Sequence, residues 1–117
     1  MNAPEQDTRR RPTGRQLTLH KILSYAVKKG ASDIHLKVPR PPVVRIDGEI
    51  RFAGETPLTQ EHMLGYLDEI MTPEQKTRFL ETGDADLAIS VSGIGRFRVN
   101  CLKQRGSVAI IMRHVKG

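Results

Sequence analysis

The chain has 117 residues, 38% hydrophobic and 27% charged, with a formal net charge of +6; that length builds one domain with a modest core and excludes a motor or two-domain enzyme within this chain alone. No apolar run approaches the ~18 residues of a membrane span, the N-terminus is polar rather than signal-like, and the single Cys101 excludes an internal disulfide, so a cytoplasmic location is expected. The positive charge points to anionic partners without choosing among nucleic acid, nucleotide phosphates, an acidic protein face and a membrane surface.

Residues 1–16 are polar, carry Arg9-Arg10-Arg11 and show no periodicity, which predicts a disordered leader ahead of a domain over 17–117. From Leu17 the pattern becomes helical. Leu19, Ile22, Leu23, Ala26 and Val27 share one face, Thr18 is placed as N-cap, and Lys28-Lys29-Gly30 closes the helix with cations and a glycine. Ile34, Leu36 and Val38 then alternate with Asp33, His35 and Lys37, the period of a strand with one buried face. Val44 and Ile46 repeat it beyond the stiff Pro39-Arg40-Pro41-Pro42 link, and Asp47-Gly48 predicts a tight turn into a return strand on which Ile50 and Phe52 are expected to continue the apolar face.

Thr59 is expected to cap a second helix carrying Met63, Leu64, Leu67, Ile70 and Met71. Thr72, Pro73 and Gln75 form a capping box with proline at N1, starting a third helix that Phe79 and Leu80 anchor and Gly83 ends. The last third reads as strands: Leu87, Ile89 and Val91; then Phe97, Val99 and Cys101 opposite Arg96, Arg98 and Asn100; then Val108, Ile110 and Met112 opposite Ala109, Ile111 and Arg113. Helix, three strands, two helices, three strands gives an α+β domain with a mostly antiparallel six-stranded sheet and helices on one face.

The four histidines share no metal-ligand spacing, so no metal site is expected. Asp33-x-His35 places a carboxylate and an imidazole on one strand face, a pair more often structural than catalytic. Asp84-x-Asp86, just after Gly83, reads as loop solvation and capping. Cys101 falls on the core face, and neither G-x-x-x-x-G-K-[ST] nor G-x-G-x-x-G occurs, which argues against ATP hydrolysis by this chain alone. Arg96 and Arg98 share one strand face, and Arg113 faces outward on the next. Such a cluster of guanidinium forks suits phosphate oxygens. A stand-alone nucleic-acid-binding module is the alternative, weakened by an aromatic content of 4% without tryptophan. A ligand-sensing domain with a cavity ranks third, because no polar cluster identifies a ligand.

Ala31-Ser32-Asp33-Ile34-His35-Leu36, Arg40-Pro41-Pro42-Val43-Val44-Arg45-Ile46-Asp47-Gly48-Glu49-Ile50, Gly95-Arg96-Phe97-Arg98-Val99-Asn100 and the late Arg113 together resemble the N-terminal domain of PilT-type ATPases, the type IV pilus retraction motors of the secretion ATPase family. The resemblance runs from about Leu17 to the end. It implies a PAS-like domain followed, in the parent protein, by a RecA-like domain that binds ATP and Mg, so the chain is expected to be an N-terminal piece that is not itself an enzyme and binds no cofactor alone. It further implies a cytoplasmic homo-hexamer at the inner-membrane face, partnered by RecA-like domains of its own and neighbouring subunits and by a pilus inner-membrane platform protein, with no nucleic acid. Arg96, Arg98 and Arg113 are the implied contacts to ATP phosphates in trans, and Asp33 and His35 the implied interdomain contacts. After the matched arginine the family commonly continues into Ile-Pro; here Arg113-His114-Val115-Lys116-Gly117 follows instead.

Overall fold

A computed structural model describes residues 17–116, and the leader expected over 1–16 lies outside the described residues. The elements follow the order α1 (Leu19–Lys28), β1 (Asp33–Lys37), β2 (Val43–Ile46), β3 (Glu49–Phe52), α2 (Gln60–Ile70), α3 (Pro73–Thr82), β4 (Asp84–Val91), β5 (Gly95–Gln104) and β6 (Ser107–Val115). The six strands form one sheet in the order β3-β2-β1-β6-β5-β4, with every pairing antiparallel. The α+β reading therefore stands, with β1 and β6 at the centre although they lie at opposite ends of the chain.

Local chemistry explains the boundaries. The Thr18 hydroxyl accepts from the Lys21 amide, and Lys28 occupies the last turn of α1. In α2 a capping box forms between Thr59 and His62, whose Nδ1 accepts from the Thr59 amide at 3.0 Å; the imidazole takes a part more often played by Glu or Gln. The box predicted at α3 is present, with Gln75 N–H donating to Thr72 Oγ1 at 3.1 Å and Thr72 N–H donating to Gln75 Oε1 at 2.9 Å. Gly83 ends α3 in the left-handed region, at φ 81°, where a side chain would strain the backbone.

The helices cover one face of the sheet. Ile22, Leu23, Met63, Leu67 and Phe79 meet Ile34, Leu36, Val44, Phe97, Val99, Cys101, Ile110 and Met112 in a continuous buried cluster. Tyr66 joins α2 to the start of the domain by donating its hydroxyl to the Leu17 carbonyl. Burial raises the Tyr66 pKa, with Glu69 adding to the effect, so the phenol keeps the proton that this bond requires.

Three local expectations change. Ile50 and Phe52 lie opposite Arg45 and Val43, on the uncovered face, where they are 54% and 55% exposed. Leu80 is exposed, leaving Phe79 as the buried anchor of α3. Asp84 and Asp86 belong to β4 rather than to a loop, because the antiparallel ladder with β5 extends as far as the Asp84↔Leu102 pair.

Candidate functional site

The strand pleat sends Ile34 and Leu36 to the helices and therefore Asp33 and His35 to the opposite face. Ladder register then decides who meets whom. Asp33 of β1 lies opposite Arg45 of β2 on one side and Arg113 of β6 on the other, while Arg113 in turn lies opposite Arg98 of β5. One row across four strands thus reads Arg45, Asp33, Arg113, Arg98. Arg96 sits two residues further along β5, opposite Val115.

Asp33 organises the row. Its residue is only 8% exposed. Arg113 Nε donates to Oδ1 at 3.1 Å, Ser32 Oγ donates to Oδ2 at 2.7 Å, and Arg45 Nε stands 3.8 Å from Oδ2. Burial opposes ionisation of this carboxyl, but the hydrogen bonds from Ser32 and Arg113, with the Arg113 and His35 charges, outweigh it and hold the pKa below the ordinary aspartate value. The carboxylate is therefore charged and fully engaged. Burial also depresses the His35 imidazole; Arg40 and Arg45 act in the same sense, and Asp33 opposes them. His35 is thus held toward its neutral form.

Beyond Arg98 the face turns acidic. Asn100 Nδ2 reaches Asp86 Oδ1 at 3.0 Å and Asp84 Oδ1 at 3.3 Å, tying the start of β4 to β5. A shallow depression of about 350 Å³ lies here, lined by Asp33, Asp86, Arg98, Asn100, Ile111 and Arg113 among others. Among the described residues no hydrogen bond or ion pair engages the side chain of Arg96 or Arg98. Like charges directly opposite each other in an antiparallel ladder are destabilising, and in the Arg98–Arg113 pair the Asp33 carboxylate offsets the Arg113 charge while Arg98 has no ion-pair partner among the described residues.

Of the residues singled out from sequence, Asp33, Arg98 and Arg113 are brought into contact range, Arg96 and His35 flank them, and Arg45 and Ser32 join unannounced. The side on which Arg45 projects was readable from the Val44/Ile46 alternation, but its partner was not. Phe97, the aromatic residue of the arginine strand, is 1% exposed on the helix side and offers no stacking platform to this face. Cys101 is buried, and burial, reinforced by Asp86 and Asp84, pushes its thiol up to about 12, which leaves it a core residue rather than a nucleophile. Among the described residues no group of three or more His, Cys, Asp or Glu side chains could hold a metal ion, and no helix is long and apolar enough to cross a membrane.

No protein-family model matches the chain. It is similar to the type IV pilus retraction ATPase PilT of Pseudomonas aeruginosa, with 31% identity over 99 residues, covering 85% of this chain and 29% of that protein. The type IV pilus ATPase PilU of the same organism is 32% identical over 100 residues, covering 86% of this chain and 26% of that protein. Among solved structures, the pilus retraction motor PilT with bound ADP matches with a TM-score of 0.74 and 38% identity over 86% of this chain and 29% of that one. The Legionella pneumophila ATPase DotB matches with a TM-score of 0.73 at 21% identity, over 84% of this chain and 28% of that one, a likeness of fold. The chain spans less than a third of the length of these relatives. Over about 85% of its residues it is homologous to the PilT and PilU type IV pilus ATPases, and its structure matches the PilT N-terminal domain.

Proposed function

We propose, with that homology as the premise, that the chain is the N-terminal domain of a hexameric type IV pilus retraction ATPase, the motor of twitching motility. In this reading ATP and its Mg²⁺ are bound by a RecA-like domain of the parent protein, and the hexamer works at the cytoplasmic face of the inner membrane against a platform protein of the pilus machine. The domain packs through its open sheet face on a RecA-like domain of a neighbouring subunit. Arg98 and Arg113, with Arg96 beside them, reach the phosphates of ATP held there. Their guanidinium groups neutralise charge that builds on the phosphoryl oxygens during hydrolysis, and so link nucleotide state to the angle between domains. Asp33 and His35 belong to the same interdomain surface.

The observation that carries the reading is the Arg98–Arg113 pair itself. Two arginines face each other across adjacent strands, and Arg98 has no counterion among the described residues. Fixed guanidinium forks side by side match tetrahedral oxyanions, which accept charge-assisted hydrogen bonds from both. The experiment is steady-state ATP hydrolysis and nucleotide binding by the full-length protein with Arg96, Arg98 and Arg113 replaced singly by alanine. Turnover is expected to fall by at least about tenfold while nucleotide affinity changes little. Unchanged turnover in all three variants removes the arginine role.

A further inference from the structure

We propose that Asp33 is a positioning residue for Arg113, holding its guanidinium by Nε so that the two terminal nitrogens, together with Arg98, receive a phosphate group end-on. The inference rests on the phosphate reading above and assigns Asp33 a narrower task than contact with a neighbouring domain.

Exposure separates the two side chains. The Asp33 side chain is 11% exposed, whereas the Arg113 side chain bonded to it is 74% exposed. A docking partner would therefore meet the arginine before the carboxylate. Both carboxylate oxygens are occupied from within the domain, Oδ1 by Arg113 and Oδ2 by Ser32 with Arg45 behind it. The group is thus oriented from two sides and has little freedom to turn toward a ligand.

A guanidinium offers an oxyanion two edges, one made by Nε with a terminal nitrogen and one made by the two terminal nitrogens. Asp33 occupies the first through Nε. Among the described residues no hydrogen bond engages the second. Without Asp33, Arg113 would stand directly opposite Arg98 with like charge, and the two flexible side chains would separate. Bringing them back onto one ligand would then cost rotamer entropy at the moment of binding. With Asp33 in place the Arg113 charge is partly offset and its direction is set in advance. The ligand class follows: a terminal phosphate, with at least two free oxygens to share between Arg98 and the outer edge of Arg113.

The test uses the full-length ATPase carrying this domain, with kcat and KM for ATP measured for D33N, D33E, R98A, R113A, R113K and the D33N/R113A double variant, and thermal melting of each as a control. Because misplacing a catalytic group by about 1 Å can cost up to ~100-fold, D33N is expected to lower kcat by roughly tenfold with KM for ATP within about twofold. D33E, which keeps a carboxylate, should recover part of the loss, and the double variant should be no slower than R113A. If R113A is impaired while D33N turns over normally, the positioning role is overturned and the phosphate reading stands. If R98A and R113A are both as active as the unmodified protein, the phosphate reading itself fails. A double variant markedly slower than R113A also overturns the positioning role, since Asp33 would then act by another route. Should D33N not fold, R113K decides: lysine keeps the charge but lacks the Nε that Asp33 grips, so turnover close to that of R113A supports the proposal and full turnover overturns it.

Discussion

Phe97, Val99 and Cys101 alternate along β5 with Arg96, Arg98 and Asn100, so adjacent residues of one strand live in two different environments. On the covered side, apolar groups from three helices and five strands exclude water, and stability follows from their packing. On the open side, charge is left partly uncompensated in the row Arg45, Asp33, Arg113, Arg98. The difference teaches that side-chain parity separates the packed residues of the sheet from its charged ones and, in the proposed function, separates folding from work on the ligand. Substitutions on one face should be read in folding, those on the other in binding and turnover.

The largest expected effect lies on the covered face. Phe97→Ala deletes a fully buried ring on the core face of β5, beside His114 of β6, and should cost about 3–5 kcal/mol of unfolding free energy, seen as a large drop in the urea midpoint. A mild effect there would mean that the core is not the seat of stability, which breaks the comparison at its root. Thr72→Ala removes one half of the α3 capping box and should cost about 1 kcal/mol in the same assay, with ATP turnover by the parent protein unchanged.

A smaller effect is expected from pH. The folded state depresses the pKa of His35, so the unfolded chain binds its proton more readily. The stability His35 contributes is fully present above its ordinary value of 6.5 and is lost as pH falls through that value toward the lower folded one. Asp33 acts in the same sense at lower pH, its contribution present above the ordinary value of 3.8 and lost below it. His35→Gln should flatten the melting temperature between pH 7 and pH 5, where the unmodified domain declines; an unchanged slope would place the decline elsewhere. The smallest effect belongs to Arg98→Ala, within about 0.5 kcal/mol of the unmodified domain and of either sign, since the substitution removes an exposed side chain and a cross-strand repulsion. That variant sharpens the comparison most, because the same change is expected to depress turnover.

Alternation and capping made most of the fold legible. Period-2 patterns located five of the six strands with the right inward residues, and Thr72-Pro73-Glu74-Gln75 marked the α2–α3 boundary by hydrogen bonds that need only neighbours in sequence. β3 was misjudged for a physical reason. Its apolar residues alternate correctly, but register places Ile50 opposite Arg45, on the side without helices, while Glu49 and Arg51 pair with each other at 3.0 Å on the other side. Alternation states that two faces differ. It does not state which one a neighbouring layer will cover.

The same distinction runs through the candidate site. By itself the sequence determined that Asp33, His35, Arg45, Arg96, Arg98 and Arg113 project opposite the apolar residues of their own strands, because side-chain direction in a strand is a local property of the pleat. Only the tertiary structure decided that Asp33 bonds to Arg113, a residue 80 positions away, and that Arg98 stands beside that pair. The pairing of β1 with β6 satisfies the backbone hydrogen bonds of both strands while burying Ile34 and Leu36 beside Ile110 and Met112 under the same helices. That requirement belongs to the assembled core, and no single stretch of the chain carries it.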